Sequence, residues 1–264
     1  MFMNFTAWKN QEHLLNRMGI KELNKAYFTY PGVQIYLICF AAALAATLYY
    51  GGALWPLLGA ACVPLIGHPV VWYITHRWIL HSHILMKFKA TAKLWKRTHY
   101  DHHQRPNELS VLFGGLHTTL PPNALIYGPI GYMIAGPGGA AIAIASGMFM
   151  MMFYEYIHCI QHLGFMPKAD TFLGRYLQYV KRAHLLHHFH DENGNYSITT
   201  FWFDALVGSY YKTAADRARS PTARNIGYTD EMAEKYPWVR EATLEMEVAD
   251  AGKAHPVARN ASSS

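Results

Sequence analysis

Ten of the sixteen histidines in the sequence fall into four compact groups: His76 and His81 in HRWILH, His99, His102 and His103 in HYDHH, His158 and His162 in HCIQH, and His184, His187 and His188 in HLLHH. Neutral imidazole binds iron, zinc, copper and nickel, so the set is suited to holding metal. On a helix each residue turns by about 100°, which puts His158 and His162 on one face where they can grip one ion. In HYDHH and HLLHH the first histidine is flanked by the other two at about −60° and +40°, so the adjacent pair diverges by about 100° and can serve different ions. His76 and His81 diverge by about 140° on a continuous helix, and they too fit two ions better than one. Ten imidazoles exceed the four ligands of a tetrahedral zinc site; the count points to two metals of about five ligands each.

Ligand type alone leaves the metal open. The zinc-protease signature HExxH is absent, since Cys159 follows His158 and no Glu follows any clustered histidine, so hydrolysis loses its best support. What remains is a nitrogen-rich site for redox metals, able to bind oxygen and oxidise an unactivated C–H bond. A membrane zinc hydrolase and a histidine-rich metal transporter are the rival readings. Transporters place polar ligands near mid-bilayer, whereas these clusters lie at the edges of apolar windows. Outside the four groups, His83 and His190 are placed either to orient ligands or to be solvated. His68 and His117 lie inside apolar windows, where an interhelical hydrogen bond is the simplest role. His13 and His255 read as surface residues.

The elements that must position these groups are membrane helices. Residues 26–76 and 109–154 contain no Asp, Glu, Lys or Arg. Each window exceeds the roughly 20 residues needed to cross a bilayer core and can hold two crossings joined by a hairpin, giving four in all. The net charge of +6 gathers outside the windows, at Lys9, Arg17, Lys21 and Lys25 and again at Arg77, Lys87, Lys89, Lys93, Lys96, Arg97 and Arg105. By the positive-inside rule these segments share the cytoplasmic side, and with both hairpins returning there all four histidine groups converge on one membrane face. Headgroups explain the basic residues better than nucleic acid, for no basic and aromatic stripe is present. Cys39, Cys62 and Cys159 have no ligand spacing and suggest no disulfide framework. No processed export signal is visible at the N-terminus.

Along the chain, residues 1–30 read as an interfacial lead-in whose Trp8, Tyr27, Phe28 and Tyr30 suit the headgroup region. The membrane domain follows over 31–212, with crossings at 33–50 and up to Thr75, a turn at Gly51, Gly52 and Pro56, and a polar helical stretch over 76–107. The second window is expected to break at Pro121-Pro122, Gly128-Pro129 and Gly136-Pro137-Gly138-Gly139, leaving a kinked or re-entrant first half and a strong helix over 140–156. GPGGAA there reads as a helix break and not a dinucleotide fingerprint. Residues 213–264 read as a polar tail, disordered over the last dozen.

The four motifs, in this order and followed by NYSITTFWFDALVGSYY, resemble the fatty acid hydroxylase superfamily, which includes fatty acid 2-hydroxylases, sterol C4-methyl oxidases and sterol C5-desaturases. The resemblance covers roughly residues 65–212. It implies an all-α integral membrane protein with about four transmembrane helices, under a cytoplasmic helical cap that encloses a dinuclear site. The ten clustered histidines would hold two iron ions, sometimes replaced by zinc, with O2 as co-substrate. Electrons would come from cytochrome b5 or a ferredoxin with its reductase, and the substrate would be a membrane lipid. Asn195, Tyr196 and Asp204, with His83 and His190, are candidates to support the ligands; turn or capping chemistry is the alternative for the first three. The block from Tyr154 to Tyr211 looks closest to fatty acid 2-hydroxylases, although HCIQH departs from their aromatic-rich third motif. Hydroxylation at C2 of an acyl lipid is therefore expected, with sterol or carotenoid hydroxylation or desaturation as the alternative. The expected location is the bacterial inner membrane or the endoplasmic reticulum.

Overall fold

The computed structural model describes Trp8 and residues 13–242 of the 264-residue chain. Every regular element among them is helical, apart from one isolated bridge between Leu14 and Glu108. Three stretches are long and apolar enough to cross a membrane: 31–50, 54–87 and 109–162. After a short helix α1 (Ile20–Thr29), α2 (Pro31–Tyr50) opens on a proline, whose missing N–H is no loss in a first turn. It ends at Gly51 with φ 65°, a left-handed position that favours glycine. Next comes α3 (Leu54–Thr75), which at 1.5 Å per residue is about 33 Å long and matches the bilayer core. Leu48, Trp55, Ile66, Leu125 and Met133 are exposed along the bundle, as lipid-facing side chains should be.

After the polar stretch of α4 (Lys89–Trp95), α5 (Asp101–Gln104) and α6 (Leu109–Leu112), the longest helix, α7 (Leu116–His162), folds back on itself. Ala135 (φ −144°) and Gly136 (φ 60°) leave helical geometry, so 116–134 and 137–162 are two antiparallel limbs. A Cβ on Gly131 would collide with the Gly139 carbonyl, and the reverse; farther along, Gly128 meets Ile144 and Gly147 meets Asn123 and Tyr127. Small residues let the two backbones touch. The expected breaks at Pro121-Pro122 and Gly128-Pro129 do not occur. Each proline removes one backbone bond, and packing of the limb along α3 and its own partner limb outweighs that loss.

A Cβ on Gly138 would collide with the Gly51 carbonyl, so both turns lie at one end of the bundle. All four limbs therefore open toward the other end, where the cap sits. Its main helix, α8 (Phe172–Phe189), starts at Thr171, whose Oγ1 accepts the Gly174 N–H at 3.0 Å. The short helices α9 (Trp202–Leu206) and α10 (Asp230–Lys235) complete it.

Two expectations change here. Trp8 and Tyr27 do not face headgroups: both are buried in a core with Phe113, Ile157 and Ile160. Their polar tips find partners there, Trp8 Nε1–H on Ala26 O at 3.0 Å and Tyr27 O–H on Met152 O at 2.6 Å, which removes the reason to seek an interface. Residues 213–242 are no loose tail, since Ile226, Tyr228, Ala233 and Val239 pack against Met86, Ala92 and Trp95. The expected disorder of the last dozen residues lies outside the described residues.

The hairpin contact is testable. Gly131→Val should lower the unfolding midpoint in detergent by the equivalent of about 1–3 kcal/mol, the usual cost of overpacking. An unchanged midpoint would mean that the limbs do not touch there.

Candidate metal centre

Ten histidines from all four motifs meet in the cap end as two groups of five: His76, His81, His99, His103 and His187, and beside them His102, His158, His162, His184 and His188. All but His81 are buried. The groups adjoin, for the rings of His103 and His188 stack with centroids 4.2 Å apart.

The division follows local helix geometry. HYDHH sends His99 and His103 one way and His102 the other; HLLHH sends His184 and His188 to one group and His187 to its neighbour. His158 and His162 stay together, as i, i+4 spacing requires. HRWILH departs from expectation, because His76 and His81 share a group. The helix does not continue as an α-helix: 76–80 form a π turn in which His81 N–H donates to His76 O at 2.9 Å. An i→i+5 bond brings residues five apart onto one face. The two Nε2 atoms are 3.1 Å apart. A second π turn over 96–100 precedes His102, bridged by a buried ion pair between Lys96 and Asp101.

Backbone carbonyls set the rings. His76 Nδ1 bonds the Tyr196 carbonyl, His103 Nδ1 the Ala223 carbonyl at 2.9 Å, and His187 Nδ1 the Gly194 carbonyl at 2.8 Å. A carbonyl only accepts, so these nitrogens carry the protons and the Nε2 atoms carry bare lone pairs. Those of His103 and His187 point at each other across 3.2 Å. Two facing lone pairs without a shared proton repel unless a cation lies between their rings. In the other group, His184 Nε2 lies 3.0 Å from His158 Nε2 and 2.9 Å from His162 Nε2, while both ring nitrogens of His102 and of His188 are buried without a partner. Buried polar atoms are ordinarily satisfied. The donor set fits two metal ions, one in each group.

Of the supporting candidates, Tyr196 acts through its carbonyl on His76. Asp204 takes the N–H groups of Tyr196 at 2.8 Å and Ser197 at 3.1 Å, so it holds that carbonyl in place. Asn195, at φ 52°, links Ala183 O and the Tyr211 backbone. These partners lie 12 and 16 residues away, so its side chain ties distant segments together. His83 and His190 touch no ligand ring; they bond Ile226 O at 3.2 Å and Arg217 O at 2.8 Å. Deeper in the bundle, His68 meets Tyr127 OH only at 3.5 Å, and His13 packs on Trp8 instead of standing at the surface. Lys181 donates to Gln161 O and Leu163 O and so closes the carbonyl end of α7 beneath His158 and His162. Sequence reasoning missed Lys181 and the carbonyls of Gly194 and Ala223; a carbonyl leaves no signature in residue type. It also missed Glu155, whose signal was an acid closing a charge-free window three residues before His158.

Between α3 and the limbs of α7 a cavity of about 580 Å³ reaches both groups. Apolar side chains such as Val71, Trp72, Ile126 and Met151 line most of it, and His76, His99, His102, His158 and His184 close its end. A membrane bundle with two adjoining histidine groups at the end of an apolar cavity fits a membrane protein that can bind metal beside an apolar ligand. The chain belongs to the fatty acid hydroxylase family, whose sequence model matches residues 61–209, more than half of its length. It is also similar to a dihydroceramide fatty acyl 2-hydroxylase of Arabidopsis thaliana, at 24% identity over 194 residues, covering 69% of this chain and 73% of that protein. No solved structure matches it.

Burial pushes the imidazoles of His99, His102, His103, His184 and His188 well below their ordinary value, and neighbouring imidazoles add to the effect. His187 is pushed down to about 4 by burial, with the Gly194 carbonyl and Asp191 opposing. Unfolded, each ring titrates near 6.5. Above that pH neither state is protonated and the fold has its full stability. As pH falls from about 6.5 toward 4, the unfolded chain takes up protons that the folded one refuses, and stability drops by about 1.4 kcal/mol per unit for each such ring. Circular dichroism of the metal-free protein in detergent should therefore show the midpoint falling steeply below pH 6.5; a flat profile down to pH 5 would contradict neutral burial.

Proposed function

We propose that this chain is an oxygen- and reductant-dependent lipid hydroxylase in which the ten histidines hold two iron ions, with zinc able to take their place, and that it oxidises an acyl chain at C2. The observation that carries the reading is the apolar cavity that ends on ligands of both groups. When bound, iron at these histidines supplies the activation of O2 needed to oxidise an unactivated C–H bond. The chain's own part is positional. Val71, Trp72, Ile126 and Met151 offer an acyl chain a dry path from the bilayer side, and the histidine end limits which carbon arrives. Burial keeps water away from that carbon. The carbonyls of Tyr196, Gly194 and Ala223 keep Nε2 of three rings free for metal.

The similarity to a dihydroceramide fatty acyl 2-hydroxylase supports C2 and an acyl lipid over a sterol or carotenoid. The basic residues at the cap end support a cytoplasm-facing site, since the opposite turns at 48–58 and 130–139 carry no charge. A cytochrome b5 or a ferredoxin with its reductase would supply the electrons, as the resemblance to the family implies. Clusters at the cap ends of the limbs and beyond them, not in mid-span, fit an enzyme better than a transport path.

Elemental analysis of the purified protein should give two metal ions per chain, and His187→Ala, which removes a member of the first group, should lower the count toward one. A wild-type count of one or none would refute the dinuclear assignment.

Lipidomics under isotopically labelled oxygen should reveal a lipid that gains label in cells expressing the wild type but not in cells carrying His187→Ala, His188→Ala. If no lipid gains label and none gains a double bond, the oxygenase reading fails; new double bonds without label would make the chain a desaturase.

A further inference from the structure

A row of aromatic rings leads from the first histidine group to the molecular surface. The Tyr196 ring is centred 5.8 Å from His76, 5.2 Å from His81 and 5.7 Å from His187. The Tyr73 ring follows at 5.8 Å and the Trp78 ring lies 6.1 Å beyond it, both edge-on. Tyr73 is fully buried, whereas Trp78 is 52% exposed. The Arg77 guanidinium lies 5.9, 5.7 and 5.4 Å from the centres of Tyr73, Trp78 and Tyr196.

Packing alone accounts for edge-on aromatic pairs. It does not account for the hydrogen bonds at Tyr73. The Tyr73 hydroxyl lies 3.0 Å from Ser209 Oγ, and Ser209 Oγ–H donates to Asp204 Oδ1 at 2.9 Å. Arg77 donates to the Tyr73 oxygen, which leaves the Tyr73 proton for Ser209. Asp204 also accepts the N–H groups of Tyr196 and Ser197, the pattern of an ionised carboxylate. A buried phenol is thus joined through one hydroxyl to a carboxylate. The Tyr196 hydroxyl has no such acceptor among the described residues.

Tyrosine gives up an electron readily only when its proton leaves at the same time. We propose that Tyr73 and Trp78 form a protective redox relay, bridged to the first histidine group by Tyr196, which drains oxidising equivalents from the metal centre when no lipid fills the cavity. This rests on the oxygenase reading of the site. In the relay the O–H bond of Tyr73 breaks: its electron passes through the Tyr196 ring to the oxidised centre, its proton to Ser209 Oγ, and the Ser209 proton to Asp204. Trp78 then returns an electron to Tyr73, which recovers its proton by the reverse route, and the indole N–H releases its proton to solvent. A thiol at the surface restores Trp78 by giving a hydrogen atom to the indole nitrogen. In sum the centre gains one electron, and the thiol is left as a thiyl radical with one proton released. The Arg77 charge disfavours a cation radical on any of the rings, so each step must shed its proton. The Ser209 route and the exposure of Trp78 allow this.

The relay is tested with and without metal. In metal-free protein in detergent, a ruthenium polypyridyl photo-oxidant removes electrons at the surface, and paramagnetic resonance reads the radicals. The wild type should show a long-lived tyrosyl signal that falls several-fold in Tyr73→Phe, in Ser209→Ala and in Trp78→Leu. Iron-loaded protein is then reduced and exposed to oxygen without lipid or thiol, and its peptides are mapped for oxidation. Trp78 should be oxidised in the wild type and spared when a thiol is added. Tyr73→Phe and Ser209→Ala, at unchanged metal content, should lower Trp78 oxidation several-fold and move the damage to Tyr196 and the ligand histidines. A tyrosyl signal indifferent to Tyr73→Phe and Ser209→Ala, or Trp78 oxidation that neither variant alters, would overturn the relay. A Tyr73 radical in the metal-free protein, with no oxygen consumed by the iron-loaded one, would sink the oxygenase reading and leave the relay standing.

Discussion

Imidazole nitrogens brought within about 3 Å of one another in a largely buried cap are the constraint around which the structure is arranged. With the Nδ1 protons of His76, His103 and His187 committed to carbonyls, their Nε2 lone pairs face one another or a neighbouring ring. Such a cluster is unfavourable as a core and favourable as a ligand cage. Folding and metal binding are therefore coupled: the fold prepares the cage, and a cation relieves what the fold leaves unsatisfied. The pH range in which the rings stay neutral is also the range in which they can bind metal.

The membrane bundle gives this cage a rigid floor. Two hairpins turn at the far end, one at Gly51 and Gly52 and one at Ala135–Gly136, so α3 and the second limb of α7 deliver His76, His158 and His162 to the same level. The cap adds the remaining ligands from α8 and the segment around α5, and residues 213–242 lock that segment in place through Arg224, which donates to the His103 and Gln104 carbonyls. Few of these contacts are local in sequence. A ring such as His103 depends on a carbonyl 120 residues away.

The cavity joins two media. Its walls are apolar and continue the character of the bilayer, whereas its end is a dense array of nitrogen. An apolar chain can enter without desolvation cost, and the polar end decides which part of it stops there. Glu155 lies at this boundary.

The sequence by itself determined the chemical type of the site and the all-helical membrane architecture. Ten histidines in four motifs cannot be mistaken for scattered surface residues, and charge-free windows of this length have few uses outside a bilayer. Periodicity was enough to place His158 and His162 in one group and to separate His102 from His103 and His187 from His188. It failed at His76 and His81, where an α-helical angle was applied to a π turn, and a residue string does not announce a switch from i→i+4 to i→i+5 bonding. It also mistook Trp8 and Tyr27 for interfacial anchors and residues 213–242 for a tail, because their partners, Ala26, Met152 and Trp95 among them, are chosen by long-range packing. Only the tertiary structure decided which carbonyls orient His76, His103 and His187 and that Glu155 borders the cavity. Both facts depend on where distant backbone comes to rest, which residue type alone does not encode.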